Sequence, residues 1–440
     1  MSRSFAWIMC LLAVSFGSPA QQHVEAQPVT VIHAGALLAV PGKPASGPST
    51  IVVRGDKILL VTAGLKAAAE FGADSHLIDL SDKYVLPGLI DLHMHLAIMM
   101  NADSETVASE ARLSLAAASY AARLLQAGVT TVRDTGDNTG VVFALRDSFA
   151  REELPGPRLF AAGRVVSRTG GHGAKHPAPG ELAFTPATCD GPESCRRVVR
   201  ENVEQGSDWI KVTVSGSGRE VTGQAGSQPI LFPDEMTAIA EAARQAGRPM
   251  AAHAHSTAAI NLALESGVRT IEHGTYFDSR SVALFKSKGA FLVPTAFVAD
   301  YVRSKLDMFA GGTDGRQTAD LEAWANAATA NPGRAWRAGI PLGLGTDGGP
   351  SFEPDATARE VELYVKSGVP AAEAIKAATT NGAVILGMGE DLGKIAPGFL
   401  ADLIAVDGDP VEDASRLRHV DFVMKAGIVR KSDHGLEGRP

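Results

Sequence analysis

Histidines that end strand-like segments are the first indication of chemistry in this 440-residue sequence. His93 and His95 stand two positions apart in the segment Asp-Leu-His-Met-His-Leu. Side chains two apart in a β-strand point to the same face, so both imidazoles can enter one site. Imidazole nitrogen is a common ligand of divalent metals. Taken alone, the pair would also be explained by ordinary hydrogen-bonded histidines in a strand.

Three further segments end in residue types that ligate metals. They read Ala252-His253-Ala254-His255, Ile271-Glu272-His273-Gly274 and Gly345-Thr346-Asp347-Gly348. One such ending would mean little, but packing does not explain the same feature in so many segments. The set therefore predicts a metal site where these segments end. Strand alternation places Glu272 away from His273, so we expect Glu272 to pair outside the site, and we expect a structural role for Asp134.

A lysine lies inside another strand-like segment, residues 209–214. Alternation puts Lys211 and Thr213 on the face opposite Ile210, Val212 and Val214, which suit a helix layer. An inward lysine is costly unless it is paired or neutral. It can serve as an ion-pair partner. With a lowered pKa it can also react with carbon dioxide to form a carbamate, whose two oxygens can bridge two metals.

The positions of these residues follow from a regular alternation of elements. Apolar strand-like runs alternate with helical stretches at residues 85–95, 130–134, 158–162, 209–214, 249–255, 269–273, 290–294 and 340–346. Eight such runs predict parallel βα units closed into a (β/α)8 barrel over residues 85–390, whose active sites lie at the C-terminal ends of the strands. Short β-rich runs at 28–84 and 391–432 are expected to pair into a small β-sandwich.

Two long connections, residues 170–195 and 215–233, follow predicted barrel strands and therefore lie on the same face. Connections of this length are usually functional. His172 is positioned to hydrogen-bond a scissile carbonyl, although a solvated loop histidine is the alternative. Arg219 can bind a substrate carboxylate or can be solvated. His176 is interpreted as a solvated loop residue.

Composition excludes several classes of protein. The hydrophobic fraction is 45% and the charged fraction 20%, values of an ordinary globular protein rather than a collagen, coiled coil or multi-span membrane protein. The net charge is −8 and there is no basic block, so no nucleic-acid partner is expected.

Residues 1–20 are typical of a cleavable signal peptide. Arg3 precedes an apolar run at 5–16, and Ser18 and Ala20 are small residues before the expected cleavage point. The run is shorter than the about 20 residues that span a bilayer. We therefore expect a periplasmic or secreted protein without a stable membrane anchor; a buried N-terminal strand is the alternative.

The mature chain would keep two of the three cysteines, because Cys10 would leave with the signal peptide. Cys189 and Cys195 flank a polar stretch that contains Gly and Pro. In an oxidising compartment this spacing predicts a short disulfide loop. A zinc site is the weaker alternative, since no neighbouring His or Cys completes a ligand set.

Taken together, the motifs resemble the amidohydrolase superfamily of binuclear metal hydrolases. The matching segments are Pro-Gly-Leu-Ile-Asp-Leu-His-Met-His, Ile-Lys-Val, Glu-His-Gly, Gly-Thr-Asp-Gly and, near the C-terminus, Gly-Lys-Ile-Ala-Pro-Gly-Phe-Leu-Ala-Asp-Leu-Ile. The resemblance implies a barrel with a flanking β-sandwich. It also implies two divalent metal ions, for which zinc is the best match to His and carboxylate ligands, with manganese or cobalt as alternatives.

The same resemblance implies a role for each site residue. His93 and His95 would bind the more buried metal, carboxylated Lys211 would bridge both, and His253 and His273 would bind the more exposed one. Asp347 would bind the buried metal and carry a proton from the attacking hydroxide to the leaving amine. His255 would be a second-layer residue or a substrate contact, because the family's ligand is the first histidine of such a pair.

Within the superfamily, the sequence is most similar to prolidase-like and ochratoxin-degrading amidohydrolases. This implies cleavage of N-acyl amino acids or Xaa-Pro-like dipeptides with release of the C-terminal residue, and also of ochratoxin A to ochratoxin alpha and phenylalanine. It further implies a homo-oligomer, with an octamer as one candidate. A cyclic-amide hydrolase similar to imidazolonepropionase is the alternative enzyme, and a non-catalytic scaffold is the alternative class.

Overall fold

The computed structural model describes residues 29–98, 109–137, 139–173, 187–217, 228–309 and 315–433. The expected signal peptide, His176 and Arg219 lie outside these ranges. Within them, each helix is too short or too polar to cross a bilayer.

The sixteen strands are β1 (Val29–Leu37), β2 (Ser49–Arg54), β3 (Lys57–Ala63), β4 (His76–Pro87), β5 (Leu89–Met94), β6 (Val129–Asp134), β7 (Arg158–Ala161), β8 (Val166–Ser167), β9 (Ala187–Thr188), β10 (Ile210–Thr213), β11 (Met250–Ala254), β12 (Thr270–His273), β13 (Phe291–Val293), β14 (Leu403–Val406), β15 (Val420–Lys425) and β16 (Ile428–Ser432), as found in the described ranges. The helices there are α1 (Glu110–Gln126), α2 (Val141–Ala150), α3 (Pro192–Glu204), α4 (Pro233–Gln245), α5 (Thr257–Glu265), α6 (Ser279–Lys288), α7 (Ala296–Ser304), α8 (Leu306–Phe309), α9 (Gly315–Thr329), α10 (Asn331–Ala338), α11 (Ala356–Lys366), α12 (Ala371–Ala377) and α13 (Thr380–Ile385).

Strands from both parts of the chain that flank the central α/β region share one sheet. Its order is β16-β15-β14-β4-β1-β2-β3, and β14 pairs with β4 antiparallel. Apolar side chains from the N-terminal and C-terminal strands, including Ile32, Ile51, Leu403 and Phe422, form one buried cluster. The two predicted β-rich regions are therefore joined through hydrogen bonds, while their arrangement as a two-layer sandwich stays a prediction.

The remaining strands form two parallel sheets, in the orders β5-β6-β7 and β13-β12-β11-β10-β8-β9. Strands β5, β6, β10, β11 and β12 are buried along their whole length. Because parallel strands are covered on both faces, they appear in the sequence as nearly continuous apolar runs. Helices α1, α2, α4, α5 and α6 each connect two successive strands of these sheets. The predicted parallel α/β organisation is confirmed, and closure into an eight-stranded barrel stays a prediction.

The eighth predicted strand, residues 340–346, differs from the prediction. It makes isolated backbone hydrogen bonds on both sides: the Leu292 N–H donates to the Pro341 carbonyl, and the Leu92 N–H donates to the Leu344 carbonyl, both at 2.9 Å. No regular strand is assigned there. Proline lacks an N–H group and glycine weakens a strand, so this Gly- and Pro-containing segment forms fewer ladder bonds than its apolar residues suggested.

The first predicted strand, residues 85–95, is also divided. Its first three residues end β4 and pair with β14, whereas β5 begins after Gly88. A Cβ atom on Gly88 would lie 2.3 Å from the Thr130 hydroxyl oxygen, so only glycine allows β5 and β6 to approach here.

The predicted loop at 170–195 contains more regular structure than expected. Strand β9 lies within it, and α3 begins at Pro192, so Cys195 is helical. Cys189 and Cys195 are joined by a disulfide and both are buried. The Gly191 N–H donates to the Glu235 carboxylate at 2.7 Å. These contacts fasten the connection to α3 and α4 beside the parallel sheet.

Gly345 offers a direct test of how closely the 340–348 segment packs on β5. A Cβ atom there would lie 2.6 Å from the His93 Cβ and 2.8 Å from the His93 backbone nitrogen, and a backbone atom cannot move aside cheaply. We expect Gly345→Ala to lower the free energy of unfolding by about 1–3 kcal/mol, the usual cost of overpacking. Chemical denaturation would measure it.

Gly47→Ala is the matched control, because nothing lies within 4 Å of its added Cβ. The control should change the free energy of unfolding by no more than about 1 kcal/mol. Equal effects of the two substitutions would contradict the close approach.

Candidate metal centre

Eight of the residues that the sequence singled out lie together at the C-terminal ends of the parallel strands. Six of them are histidines, which we call the histidine cluster. The centroids of neighbouring rings in this cluster lie between 4.4 and 5.4 Å apart. The group comprises His93, His95, His172, Lys211, His253, His255, His273 and Asp347. The exposed fraction is 21% for His95 and 23% for Asp347 but 1% for His93, so the group opens to solvent on the His95–Asp347 side.

His93 and His95 turn the same ring nitrogen toward Asp347. Their Nε2 atoms lie 3.4 and 3.1 Å from its Oδ1 atom. The Nδ1 atom of His93 lies 2.7 Å from a Glu272 oxygen, and that of His95 lies 3.0 Å from the Gly136 carbonyl. Both of these partners accept hydrogen bonds, so both Nδ1 atoms carry a proton. A positive charge must therefore lie between the Nε2 atoms and Asp347, and either a ring proton or a metal ion can supply it.

A second group of imidazoles adjoins the first. Ligand atoms of His253, His255 and His273 lie within 4.8 Å of one another. His273 also belongs to a group with His93 and Asp347 that meets the same distance limit. The two groups thus share a residue, which is the arrangement needed to hold two neighbouring ions.

Lys211 reaches the junction of these groups. Its Nζ atom lies 3.3 Å from the Nε2 atom of His93, and only 3% of the residue is exposed. Across the part of the chain that the structure describes, no carboxylate oxygen lies within 4.0 Å of this nitrogen. Burial lowers the pKa of Lys211 to about 8, although Glu272 and Asp347 oppose the shift. With its pKa just above neutral pH, a minor fraction of the amine is neutral, and the neutral form can react with carbon dioxide.

The charge states of the group fit a divalent cation. Burial, with a contribution from Lys211, lowers the pKa of His93 to about 4. Burial and neighbouring rings hold the pKa of His253 and of His273 well below the ordinary value. Burial opposes ionisation of Asp347, but His93 and His95 outweigh it and lower the pKa of that carboxyl. Neutral imidazoles and an ionised carboxylate are the protonation states that metals bind.

Two ligand-type residues occupy a backbone conformation that is rare outside glycine. The φ angles of His273 and Asp347 are 67° and 57°. The Asp347 N–H donates to the His93 carbonyl at 2.7 Å, and the His273 carbonyl accepts a bond from the Asn331 amide at 2.6 Å. Such strained residues persist when surrounding contacts fix them, and they concentrate at functional sites.

The expectation that Glu272 pairs outside the site is wrong. Glu272 is fully buried, and it contacts His93 and accepts a hydrogen bond from Arg133 at 2.8 Å. Strand alternation failed here because His273 leaves the extended conformation, so consecutive residues both face the interior. Asp134 has the structural role expected of it: it is buried and accepts a bond from the Leu96 N–H at 2.7 Å.

Arg133 was missed by the sequence reasoning. It is fully buried, donates to the Leu92 carbonyl at 2.6 Å and lies over the Trp209 ring, with its guanidinium carbon 4.4 Å from the ring centroid. Burial favours the neutral acid of Glu272, but Arg133 outweighs it and lowers the pKa of Glu272 to about 2. The available signal was a second charged residue, Arg133, next to Asp134 at the end of the strand-like run Val-Thr-Thr-Val-Arg-Asp.

Asp91 is a second buried carboxylate that the sequence reasoning missed. It accepts hydrogen bonds from the backbone N–H groups of His93 and Thr346 and from the Thr357 hydroxyl, at 2.9–3.2 Å. It therefore joins β5 to the segment that carries Asp347. Burial raises the pKa of Asp91 to about 6 despite these bonds.

His172 lies on the outer side of the histidine cluster. Its ring centroid is 4.4 Å from that of His253, and its carbonyl accepts a bond from the Thr213 hydroxyl at 2.9 Å. Just before it, the Thr169 hydroxyl donates to Asp190 at 2.6 Å, next to the disulfide. The loop is thus fastened so that His172 faces the site.

Glu272→Gln tests the buried carboxylate behind His93. The glutamine amide has one oxygen that accepts hydrogen bonds and an NH2 group that only donates them. It therefore cannot accept from both His93 and Arg133, and it removes the negative charge that pairs with Arg133. We expect metal affinity to fall about 10–100-fold, as for other groups that orient ligating histidines. Competition with a fluorescent chelator would measure it.

Glu265→Gln is the control, since Glu265 is 42% exposed and, among the described residues, forms an ion pair only with surface Arg280. It should leave metal affinity unchanged. Equal metal affinity in wild type and Glu272→Gln would contradict the orienting role.

Comparison with known proteins agrees with this geometry. Ochratoxinase of Aspergillus niger is 30% identical over 448 residues, covering 92% of this chain and 87% of that protein. A solved Xaa-Pro dipeptidase with methionine bound in its active site has a TM-score of 0.83 and 32% identity, covering 91% of this chain and 99% of the other. A solved prolidase complexed with N-methylphosphonate-L-proline has a TM-score of 0.80 and 28% identity, covering 92% and 100%.

Structural neighbours of this kind have a TIM-barrel-type α/β fold, in agreement with the parallel sheets and their connecting helices. Residues 84–431 match the Amidohydrolase family, and this range contains every member of the group described above. The chain belongs to the Amidohydrolase family and is a hydrolase of amide bonds.

Proposed function

We propose that the protein hydrolyses the amide bond of N-acyl amino acids or dipeptides with two divalent metal ions, for which zinc is the best match. One observation carries the proposal. One group of possible ligands is His253, His255 and His273, the other is His93, His273 and Asp347, and the two groups share His273. The Lys211 Nζ atom lies 3.3 Å from the Nε2 atom of His93. We propose that His93, His95 and Asp347 hold one ion and that His253 and His273 hold the other.

Lys211 is proposed to bridge the two ions as a carbamate. The neutral amine attacks the carbon of carbon dioxide, a C–N bond forms as one C=O π bond breaks, and one proton leaves to solvent, so the neutral amine becomes an anion with two oxygens. The observations in favour are its position 3.3 Å from His93 and its burial without a carboxylate partner in the described ranges. An anion there would offset the charge that two divalent cations bring into a buried site.

Asp347 is proposed to move the proton during the reaction. When bound, the two cations supply an activated water and polarise the scissile carbonyl. Asp347 has a partly exposed carboxylate beside His93 and His95, and its left-handed backbone is fixed by the bond to the His93 carbonyl. It accepts the proton of the attacking water and donates it to the leaving nitrogen.

The substrate class is proposed from the ligands of the similar structures. One holds methionine in its active site and another is complexed with N-methylphosphonate-L-proline, so both bind an amino acid or a derivative of one. Ochratoxin A, cleaved to ochratoxin alpha and phenylalanine, has the same amide-linked amino acid and is a candidate because of the similarity to ochratoxinase. We propose that His172 contacts the substrate carbonyl and that Arg219 binds the carboxylate of the amino acid.

Closure of the barrel is also proposed. Residues 340–348 would complete an eight-stranded barrel, since they are hydrogen-bonded to both β13 and β5. The flanking sheet would fold as a small sandwich.

The sequence of residues 1–20 supports the proposal that the protein is exported to the periplasm or the medium, and the disulfide is consistent with such a compartment. A homo-oligomer is proposed from the family resemblance.

Lys211→Ala tests the bridge. We expect the metal content to fall from about two ions per chain to one or fewer, because the shared ligand is lost. Atomic absorption after gel filtration would measure it. Lys425→Ala is the control: Lys425 is also buried, but it donates to the Gly156 carbonyl in the flanking region and should leave metal content unchanged.

Bicarbonate separates carboxylation from simple loss of a lysine. Metal-free wild type should reload slowly in buffer purged of carbon dioxide and faster when bicarbonate is added, whereas Lys211→Ala should not respond. Full metal content in Lys211→Ala would contradict the bridging role.

A substrate panel tests the reaction. Zinc-loaded protein should release the C-terminal residue from N-acyl amino acids, Xaa-Pro dipeptides or ochratoxin A. Removal of the metal by a chelator should lower the rate of hydrolysis at least about 100-fold, because the activated water is lost. Mass spectrometry of the products would measure it. The same amides with the carboxylate blocked are the matched controls and should react more slowly.

Other outcomes of the panel contradict the proposal. Cleavage restricted to cyclic amides would favour an imidazolonepropionase-like activity. A fully loaded protein that cleaves no member of either set would favour a scaffold.

A further inference from the structure

We propose that His255 is not a metal ligand but a catalytic hydrogen-bond donor, held with its proton on Nε2 by Trp324 and Thr275. The inference rests on the proposed function and deepens it, because it names a further group, besides His172, that would meet the oxygen of the scissile carbonyl. It follows from the hydrogen-bond partner of one ring nitrogen in each histidine, because that partner decides which of the two nitrogens carries the proton.

Three histidines have partners that only accept hydrogen bonds. The Nδ1 atom of His93 faces a carboxylate, that of His95 faces a carbonyl, and the Nε2 atom of His253 lies 3.1 Å from the Gly216 carbonyl. Each of these nitrogens must carry the proton. The opposite nitrogen of each neutral ring then offers a lone pair, as a metal ligand must.

His273 reaches the same state through a hydroxyl. Its Nδ1 atom lies 2.6 Å from the Thr295 oxygen. The Thr295 hydroxyl gives its own hydrogen to the Pro294 carbonyl at 2.7 Å, so its oxygen accepts from His273. The Nε2 atom of His273 is therefore free to ligate.

His255 is surrounded in the opposite sense. The indole N–H of Trp324, which can only donate, points at its Nδ1 atom at 3.4 Å. The Thr275 hydroxyl lies 2.8 Å from the same atom and has no other hydrogen-bond partner among the described residues, so it can donate as well. Two donors directed at Nδ1 make that nitrogen the acceptor, and the proton of the neutral ring must sit on Nε2.

The ring lies where such a donor can act. It is stacked on His273 with centroids 4.8 Å apart and meets the His253 ring edge-on at the same distance. Only 2% of the residue is exposed. An N–H group in this place, beside the two proposed ligands of the more exposed ion, can donate to a carbonyl oxygen that becomes negative as the amide is attacked.

Trp324 is a positioning residue in this arrangement. It belongs to α9 and is 8% exposed within an apolar cluster with Ala299, Val302 and Leu321. Its ring contacts His255 edge-on, with centroids 5.9 Å apart. The tautomer of His255 is thus set by packing of α9 on α7, far along the chain from the strand that carries the histidine.

Metal content and kinetics together test the proposal. His255→Ala should keep the wild-type number of zinc ions per chain, lower kcat about 10²–10³-fold, as does the loss of an oxyanion donor, and change KM little. His255→Gln, which retains an N–H donor, should recover part of kcat. His253→Ala is the reference for a true ligand and should lose zinc.

Milder variants test the two donors if His255→Ala folds poorly. Trp324→Phe combined with Thr275→Val should lower kcat with KM and zinc content retained, and Thr275→Ser alone should behave as wild type. Trp336→Phe, an exposed tryptophan on α10, is the matched control and should have no effect.

The outcomes are distinguishable. If His255→Ala loses as much zinc as His253→Ala, or if it keeps the wild-type kcat, the assignment of His255 is overturned while the proposed function stands. Unchanged kcat in Trp324→Phe with Thr275→Val would overturn the role of the two donors. Wild type that binds no zinc or cleaves no amide would overturn the proposed function, and this inference with it.

Discussion

One buried carboxylate fixes the geometry on which the site depends. Glu272 is fully buried and is held by Arg133 on one side and His93 on the other. A buried charge is tolerated only when it is paired and hydrogen-bonded, so β12 cannot shift relative to β5 and β6 without exposing or unpairing it. Arg133 is itself held by the face of Trp209, the residue immediately before β10. These contacts join β5, β6, β12 and the segment that leads into β10 beside the proposed metal ligands.

Burial also gives the lysine and the imidazoles their chemical character. The same exclusion of water lowers the pKa of His93 to about 4, so its ring is neutral at neutral pH, and lowers the pKa of Lys211 to about 8, so a minor fraction of its amine is neutral. The neutral rings of His93, His253 and His273 add no positive charge that would oppose the entry of a cation. A single environment thus prepares chemically different ligands for one use.

The candidate ligands could be identified in the sequence because buried parallel strands are apolar and a polar residue at their ends is conspicuous, while their role as metal ligands stays a prediction. Lys211 was found by alternation alone. The same rule failed at Glu272, since the backbone of His273 leaves the extended region. The eighth strand failed because its glycines and proline reduce ladder bonding. The partners of each ring nitrogen, such as Trp324 for His255, come from distant segments that local patterns do not reveal.

The pairing of β4 with β14 has a consequence for how the chain acquires its structure. Pro87, which immediately precedes the turn into β5, is paired with Leu403. The strand that delivers His93 to the site is thus held from behind by β14, which follows all of the βα units in the chain. Such a contact is long-range, and closing it is slow compared with forming local structure. A growing chain can collapse its βα units early, yet the segment that carries His93 and His95 gains this support only after β14 has been synthesised.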